Sequence, residues 1–139
     1  MEYYSMYYSG TDQMNFRIDL REKPAKIVSL VPSITELLFD LELSNEVIAV
    51  TNFCIFPEEA QSKTKIGGTK NFKVDKIKEL NPDLIIGCKE ENTKDLILEL
   101  KEDFPVWIAD IKNINDSKDM IKSISQMTGT AENGETLIN

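Results

Sequence analysis

KIVSLVPSITELLFDL, residues 26–41, is the stretch that decides the fold class. Ile27, Val28, Leu30 and Val31 form a continuous apolar run, the pattern of a strand buried on both faces of a parallel sheet. Pro32 ends that strand. Ser33 and Glu36 then have the S-x-x-E spacing of a capping box, and Leu37, Leu38 and Leu41 share one helical face behind it. A buried strand running straight into an amphipathic helix is the first half of a βαβ unit.

The same grammar repeats downstream. A short strand covers Val47–Val50, and two helix–loop–strand units follow. The first has a helix over Val74–Leu80, the breaker Asn81-Pro82-Asp83 and a strand over 84–87. The second has a helix over 93–101, a break at 103–105 and a strand over Val106–Ala109. Met120, Ile121, Ile124 and Met127 then fall at helical spacing, and Gly129 stands where a C-cap belongs. Alternating strands and helices imply an α/β fold, a three-layer αβα sandwich on a mostly parallel sheet of Rossmann-like type. Upstream, residues 14–20 alternate well enough for a short strand. All four tyrosines lie in the first eight residues, which read as a loose arm or an edge strand. Residues 131–139 read as the opening turns of another helix, so the chain has the form of one lobe of something larger. It divides into an arm with a short strand pair (1–25), an α/β lobe (26–129) and the start of a further helix (130–139).

Composition narrows the function. A net charge of −8 over 139 residues argues against nucleic acid, since phosphate binding needs clustered Lys and Arg. Two cysteines make no disulfide framework, and the lack of histidine argues against transition-metal and His-based catalytic sites. No cofactor is expected. MEYYSMYYSG, residues 1–10, has neither the basic end nor the apolar run of a secretory signal.

In an open parallel sheet, ligands bind beyond the carboxyl ends of the strands. That rule selects Pro32-Ser33, residues 51–57, residues 88–92 and residues 110–113, with Ile66-Gly67-Gly68-Thr69-Lys70-Asn71 on the same rim. Each candidate has a purely structural alternative. Ser33 and Glu36 offer free helix N–H groups to a ligand, or simply cap their own helix. Gly67-Gly68 admits close backbone approach, or makes a tight turn. Phe53, Phe56 and Phe72 line an apolar cleft, or tuck beneath the loops. Cys54 and Cys88 follow strand ends and so face each other across the rim, as ligands, as a disulfide or as inert buried thiols. Lys89, Glu90 and Glu91 are a ligand loop or solvated charge, and Asn92 a ligand contact or a helix cap. Asp75 opens a helix, where the dipole favours an acid in any case.

Taken in order, KIVSLVPSITELLFDL, VTNFCIFPEE (50–59), IGGTKN (66–71), LNPDLIIG (80–87), KEEN (89–92) and PVWIADI (105–111) resemble the N-terminal lobe of the ABC-importer solute-binding proteins for cobalamin and iron-siderophores. TDQMNFRIDL (11–20) is similar to the small strand pair of that family, and the likeness runs from Thr11 to Gly129. The resemblance implies a single lobe of a two-lobed binding protein, with the ligand held between lobes and an interlobe helix starting near Ala131. The expected ligand contacts are Pro32, Ser33, Gly68, Lys89, Glu90, Glu91 and Asn92 by their position on the rim, with Phe53, Cys54, Phe56 and Thr69 in segments that the resemblance also covers. Phe53 matches an aromatic laid against the ligand in cobalamin receptors. Thr69 departs from a Trp at the matching position, and Phe56 replaces a His of a Phe-Cys-Ile-His-Pro pattern. Asp75 matches an acid that docks on arginines of the membrane permease.

The expected function is therefore a solute-binding lobe without enzymatic activity, taking a corrinoid or ferric-siderophore-like small molecule. Its partners would be an ABC-transporter permease and a second lobe, with a homodimer through the open cleft as a further expectation. The resemblance implies a periplasmic or cell-envelope location, while the absence of a signal-like start leaves the cytoplasm open. Two rivals are a cytoplasmic flavodoxin-like interaction module and a nucleotide-dependent Rossmann-like enzyme. The second lacks a phosphate loop.

Overall fold

The structure, a computed structural model, describes residues 5–139. The part of the tyrosine-rich arm containing Tyr3 and Tyr4 lies outside the described residues. Tyr8 begins an ordered strand, and the Tyr7 N–H donates to the Leu20 carbonyl at 2.9 Å.

The first two strands, β1 (Tyr8–Thr11) and β2 (Arg17–Leu20), form an antiparallel pair apart from the main sheet. The main sheet has five strands: β3 (Ile27–Ser29), β4 (Val47–Val50), β5 (Thr64–Lys65), β6 (Leu84–Cys88) and β7 (Val106–Ala109). Their order is β5-β4-β3-β6-β7 and every pairing is parallel. The chain steps outward from β3 to β5, then crosses back to lay β6 on the other side of β3. The reversal makes the crevice between β3 and β6 the topological switch point.

Helices α1 (Pro32–Asp40), α2 (Val74–Leu80), α3 (Lys94–Lys101), α4 (Ile114–Met127) and α5 (Ala131–Ile138) complete the fold. With right-handed crossovers, α1 lies on one face of the sheet and α2 with α3 on the other. Asn133 of α5 reaches the Leu41 carbonyl behind α1 at 3.4 Å, which places the α4–α5 pair on the α1 side. Strands buried on both faces need apolar residues at consecutive positions. Ile27, Val28, Leu84, Ile85, Ile86 and Trp107 are accordingly fully buried.

The elements read from the sequence occur in the order read. The two-residue edge strand β5 and the short 3-10 helix Glu58–Ser62 before it are not among them, and helix starts need correction. Pro32 does not end a strand but is the first residue of α1, behind the N-cap Val31, and no side chain caps this helix. Proline suits that position because its missing N–H would have no intrahelical partner there. The helix thus begins one residue before the expected capping box, and Ser33 and Glu36 lie exposed on it rather than capping its end. The last long helix, which the sequence marks by the spacing of Met120, Ile121, Ile124 and Met127 without fixing its start, begins at Ile114. Its cap is Asn113, whose side chain accepts the Asp116 N–H at 2.9 Å. At its other end Gly129, with φ +72°, turns the chain. The Thr130 N–H meets the Ser125 carbonyl at 2.8 Å and the Gly129 N–H meets the Gln126 carbonyl at 3.4 Å, the paired closure of a Schellman motif.

Candidate functional site

Because all five strands of the main sheet are parallel, one edge gathers the loops that follow β3, β4, β5 and β6. The loop after β4 runs from Thr51 through the cis Phe56–Pro57 bond into a short 3-10 helix, Glu58–Ser62. Phe53 and Phe56 stand out from it, 62% and 65% exposed, whereas Phe72 is buried at 3%. The two readings of the loop aromatics therefore divide: Phe53 and Phe56 face the open rim, and Phe72 is core.

Cys54 lies beneath the rim rather than on it. It is 1% exposed, and its sulfur lies 3.1 Å from both the Thr35 and the Thr51 hydroxyl oxygens. Thr35 in turn donates to Ser29 at 2.7 Å, and Ser29 to the Val31 carbonyl at 3.1 Å. This chain of buried hydroxyls anchors the base of the Phe53 loop to β3 and α1. Cys88 is half-buried, and both cysteines are free. Burial pushes the Cys88 thiol above its ordinary range, with Glu90 and Glu91 adding repulsion and nearby backbone groups partly offsetting it. At neutral pH it is a protonated thiol.

Gly67 and Gly68 have different reasons to be glycine. Gly67 has φ +107°, a conformation that side chains disfavour. Gly68 places its α-carbon close to the Phe53 ring, where an added Cβ would lie 3.6 Å from the ring edge. The aromatic wall and the glycine turn are thus in contact.

Asn92, 6% exposed, holds the rim together. Its side-chain oxygen accepts the Cys88 N–H at 2.8 Å, and its amide nitrogen donates to the Leu30 carbonyl at 3.1 Å and the Thr69 carbonyl at 2.9 Å. One side chain therefore ties the ends of β3 and β6 to the glycine turn, at the switch point. It does not cap α3, whose N-cap is Thr93. Gly87 makes room for it, since a Cβ there would come within 2.5 Å of the Asn92 oxygen. Lys70 donates to the Glu90 carbonyl at 2.7 Å, and the Thr93 hydroxyl donates to the Lys70 carbonyl. These bonds, with the approach of Phe53 to Gly68, put Phe53, Gly68, Thr69 and residues 89–92 on one rim, while Cys54, expected there too, lies buried beneath it. Lys89, Glu90 and Glu91 keep exposed side chains there, and Pro32 and Ser33 start α1 beside them. Asp75 is exposed in the first turn of α2, which descends from the same rim.

Asp12 was invisible to sequence reasoning. Its carboxylate is buried and accepts N–H groups of Met14 and Phe16, each at 2.9 Å, and of Ile108 at 3.2 Å. Gln13 adds its own N–H to the Ile108 carbonyl at 3.1 Å and takes the Asp110 N–H at 2.8 Å. The turn between β1 and β2 thereby seals the outer edge of β7. An acid at a hairpin turn carries no signal of a partner so far along the chain.

Residues 27–139 match the profile of a family described as periplasmic binding protein. An uncharacterized ABC transporter substrate-binding lipoprotein of Bacillus subtilis (strain 168) is 32% identical over 126 residues, covering 89% of this chain and 39% of that protein. The vitamin B12-binding protein of Vibrio vulnificus (strain CMCP6) is 29% identical over 121 residues, or 86% of this chain and 44% of that one. A siderophore-binding protein, solved with two acinetobactin molecules and ferric iron, superposes with a TM-score of 0.84 at 14% identity. That superposition covers 96% of this chain and 50% of the other, a likeness of fold. The chain spans about two fifths of the length of the curated relatives it matches.

Proposed function

The chain belongs to the periplasmic binding protein family, and from that premise we propose that its rim is one wall of a solute site. The whole receptor would be the substrate-binding component of an ABC importer for cobalamin or a ferric-siderophore-type ligand. The relatives named for vitamin B12 and for a siderophore support that ligand class. The observation that carries the reading is the convergence of the exposed Phe53 with Gly68, Thr69 and the Lys89–Asn92 loop at the switch point. An aromatic ring free of its own core offers a flat apolar face to a large ring or aryl group. The Thr69 and Lys89–Glu91 side chains add polar contacts around it. Cys54, Gly68 and Asn92 serve as the framework behind that surface.

The second wall would come from a second lobe, and Asp75 would meet basic residues of a permease. The work is binding and handover without covalent change, in the cell envelope. Calorimetry tests the ligand class on a two-lobed protein containing this lobe, titrated with cyanocobalamin and with ferric siderophores. Saturable binding to one class is expected, weakened about tenfold by Phe53→Ala as the aromatic contact is lost. Failure to bind either class overturns the ligand assignment. Unchanged affinity in Phe53→Ala removes the rim from it.

A further inference from the structure

Between α3 and the chain segment 14–16 lies a cavity of about 310 Å³, walled by Met14, Phe16, Ile97, Leu98 and Ile108. It contains neither Phe53 nor Thr69. The size is at the lower end of pockets that hold small molecules, about 300–1,000 Å³. The wall is apolar, and everything charged on it is a lysine: Lys89, Lys94 and Lys101. In a chain of net charge −8, three lysines around one apolar opening are a local reversal of sign.

The three ammonium groups differ in how far they are committed. Lys101 forms an ion pair with the buried Asp12 carboxylate at 3.7 Å, and that carboxylate also accepts three backbone N–H groups. Its ammonium lies 3.5 Å from the centre of the Phe16 ring. Burial holds its pKa below the usual lysine range, with Asp12 offsetting only part of the effect. Lys89 reaches Asp110 only at 4.0 Å, and that acid also serves Lys112 at 3.5 Å. Lys94 has no ion pair among the described residues.

We propose that this cavity binds a small amphipathic monoanion, a medium-chain aliphatic carboxylate. Its chain would lie between Leu98 and Phe16, and its head would pair with Lys94, the cavity lysine without an ion pair among the described residues. The apolar wall selects the body and Lys94 selects the head, so a neutral ligand of equal length satisfies only half of the site. The cavity shares Lys89 and Asn92 with the proposed solute rim, but Lys94, Leu98 and Phe16, which carry this proposal, have no part in that reading.

Calorimetry on the whole chain with octanoate, 1-octanol and acetate tests it. Leu98→Glu and Lys94→Glu serve as variants, because both side chains are exposed and neither supports the core. Emission from the buried Trp107 checks that the variants fold. Expected are saturable one-to-one binding of octanoate, binding of 1-octanol and of acetate about tenfold weaker or less, and about tenfold loss in each variant. No saturable octanoate binding to the unmodified chain at millimolar concentration overturns the proposal. So does 1-octanol binding as tightly as octanoate, and so does octanoate affinity unchanged in Leu98→Glu, which would put the carboxylate elsewhere.

Discussion

Asn92 spends all three of its hydrogen bonds on backbone groups from three different segments and none on its own helix. Asn92→Ala leaves a buried N–H and two carbonyls without that partner, at about 1–3 kcal/mol for each group that water cannot reach. Urea unfolding should show a loss of that order. Asn92→Asp should be no milder, because a carboxylate can still accept from Cys88 but cannot donate to Leu30 or Thr69. Stability unchanged in both variants would mean the rim is held by other bonds. Asp75 behaves differently. In the two-lobed receptor, Asp75→Arg should weaken association with the permease by charge reversal and leave ligand affinity alone. Its cost to the fold should stay below about 1 kcal/mol, the scale of a helix-dipole interaction at an exposed end. Pull-down at moderate salt reads the association, and equal capture of both forms removes Asp75 from docking. The sequence identifies Phe53, Phe56 and Phe72 as loop aromatics but cannot separate them. Outward or inward depends on a turn of backbone set by neighbours such as Gly68 and the Thr35–Cys54–Thr51 cluster.

Element boundaries were legible where chemistry is local. Val74–Leu80 and Val106–Ala109 emerge as read, because Asn81 takes the left-handed conformation that stops α2 and Pro105 precedes β7. Reading failed at α1, where two local rules competed and proline at the first helical position won over the capping box. It named no start for α4, where Ile114 is 74% exposed and breaks the apolar periodicity that marks the rest, and it missed β5, at two residues too short to show a pattern. The contact between α4 and α5 rests on Gly134, which the sequence gives no reason to single out. A Cβ there would lie 2.5 Å from the Ser125 Cβ and 2.3 Å from its hydroxyl oxygen. Ser125 can rotate its hydroxyl away but not its Cβ. Gly134→Ala should therefore push α5 off α4 at an overpacking cost of about 1–3 kcal/mol. Hydrogen exchange should quicken over residues 131–138 while β3 and β6 keep their protection. Unaltered exchange in α5 would mean that the helices part without strain.

On the proposed reading this chain supplies one wall of a solute site, and affinity does not divide in proportion to contact area, because ordering and association costs come off first. A receptor of about micromolar affinity that lost about 4 kcal/mol would fall to about millimolar. The chain alone should thus bind corrinoids and ferric siderophores weakly, and a covalently joined second lobe should restore tight binding. Tight binding by this chain alone would overturn the two-wall reading. Phe53, Ile55 and Phe56, all about half exposed or more, also give the open rim an apolar patch. Sedimentation should show self-association that Phe56→Glu reduces. The architecture was readable because parallel strands and their helices write a repeated pattern. The closure of β7 by Asp12 and Gln13 was not, because it joins residues 96 and 97 positions apart.

That closure bears on the order in which the protein comes into being. The turn bearing Asp12 and Gln13 leaves the ribosome well before the strand it covers, which follows it by the 96 positions from Asp12 to Ile108. Joining ends so far apart carries a loop-closure entropy that no local contact repays. Until the turn docks, the folding chain therefore carries an uncovered strand margin, the feature most open to pairing with another chain. Pulse-labelled exchange during refolding should find the Gln13 and Ile108 amides protected after those of Ile85 and Ile86. Simultaneous protection would show instead that the hairpin docks as the sheet forms.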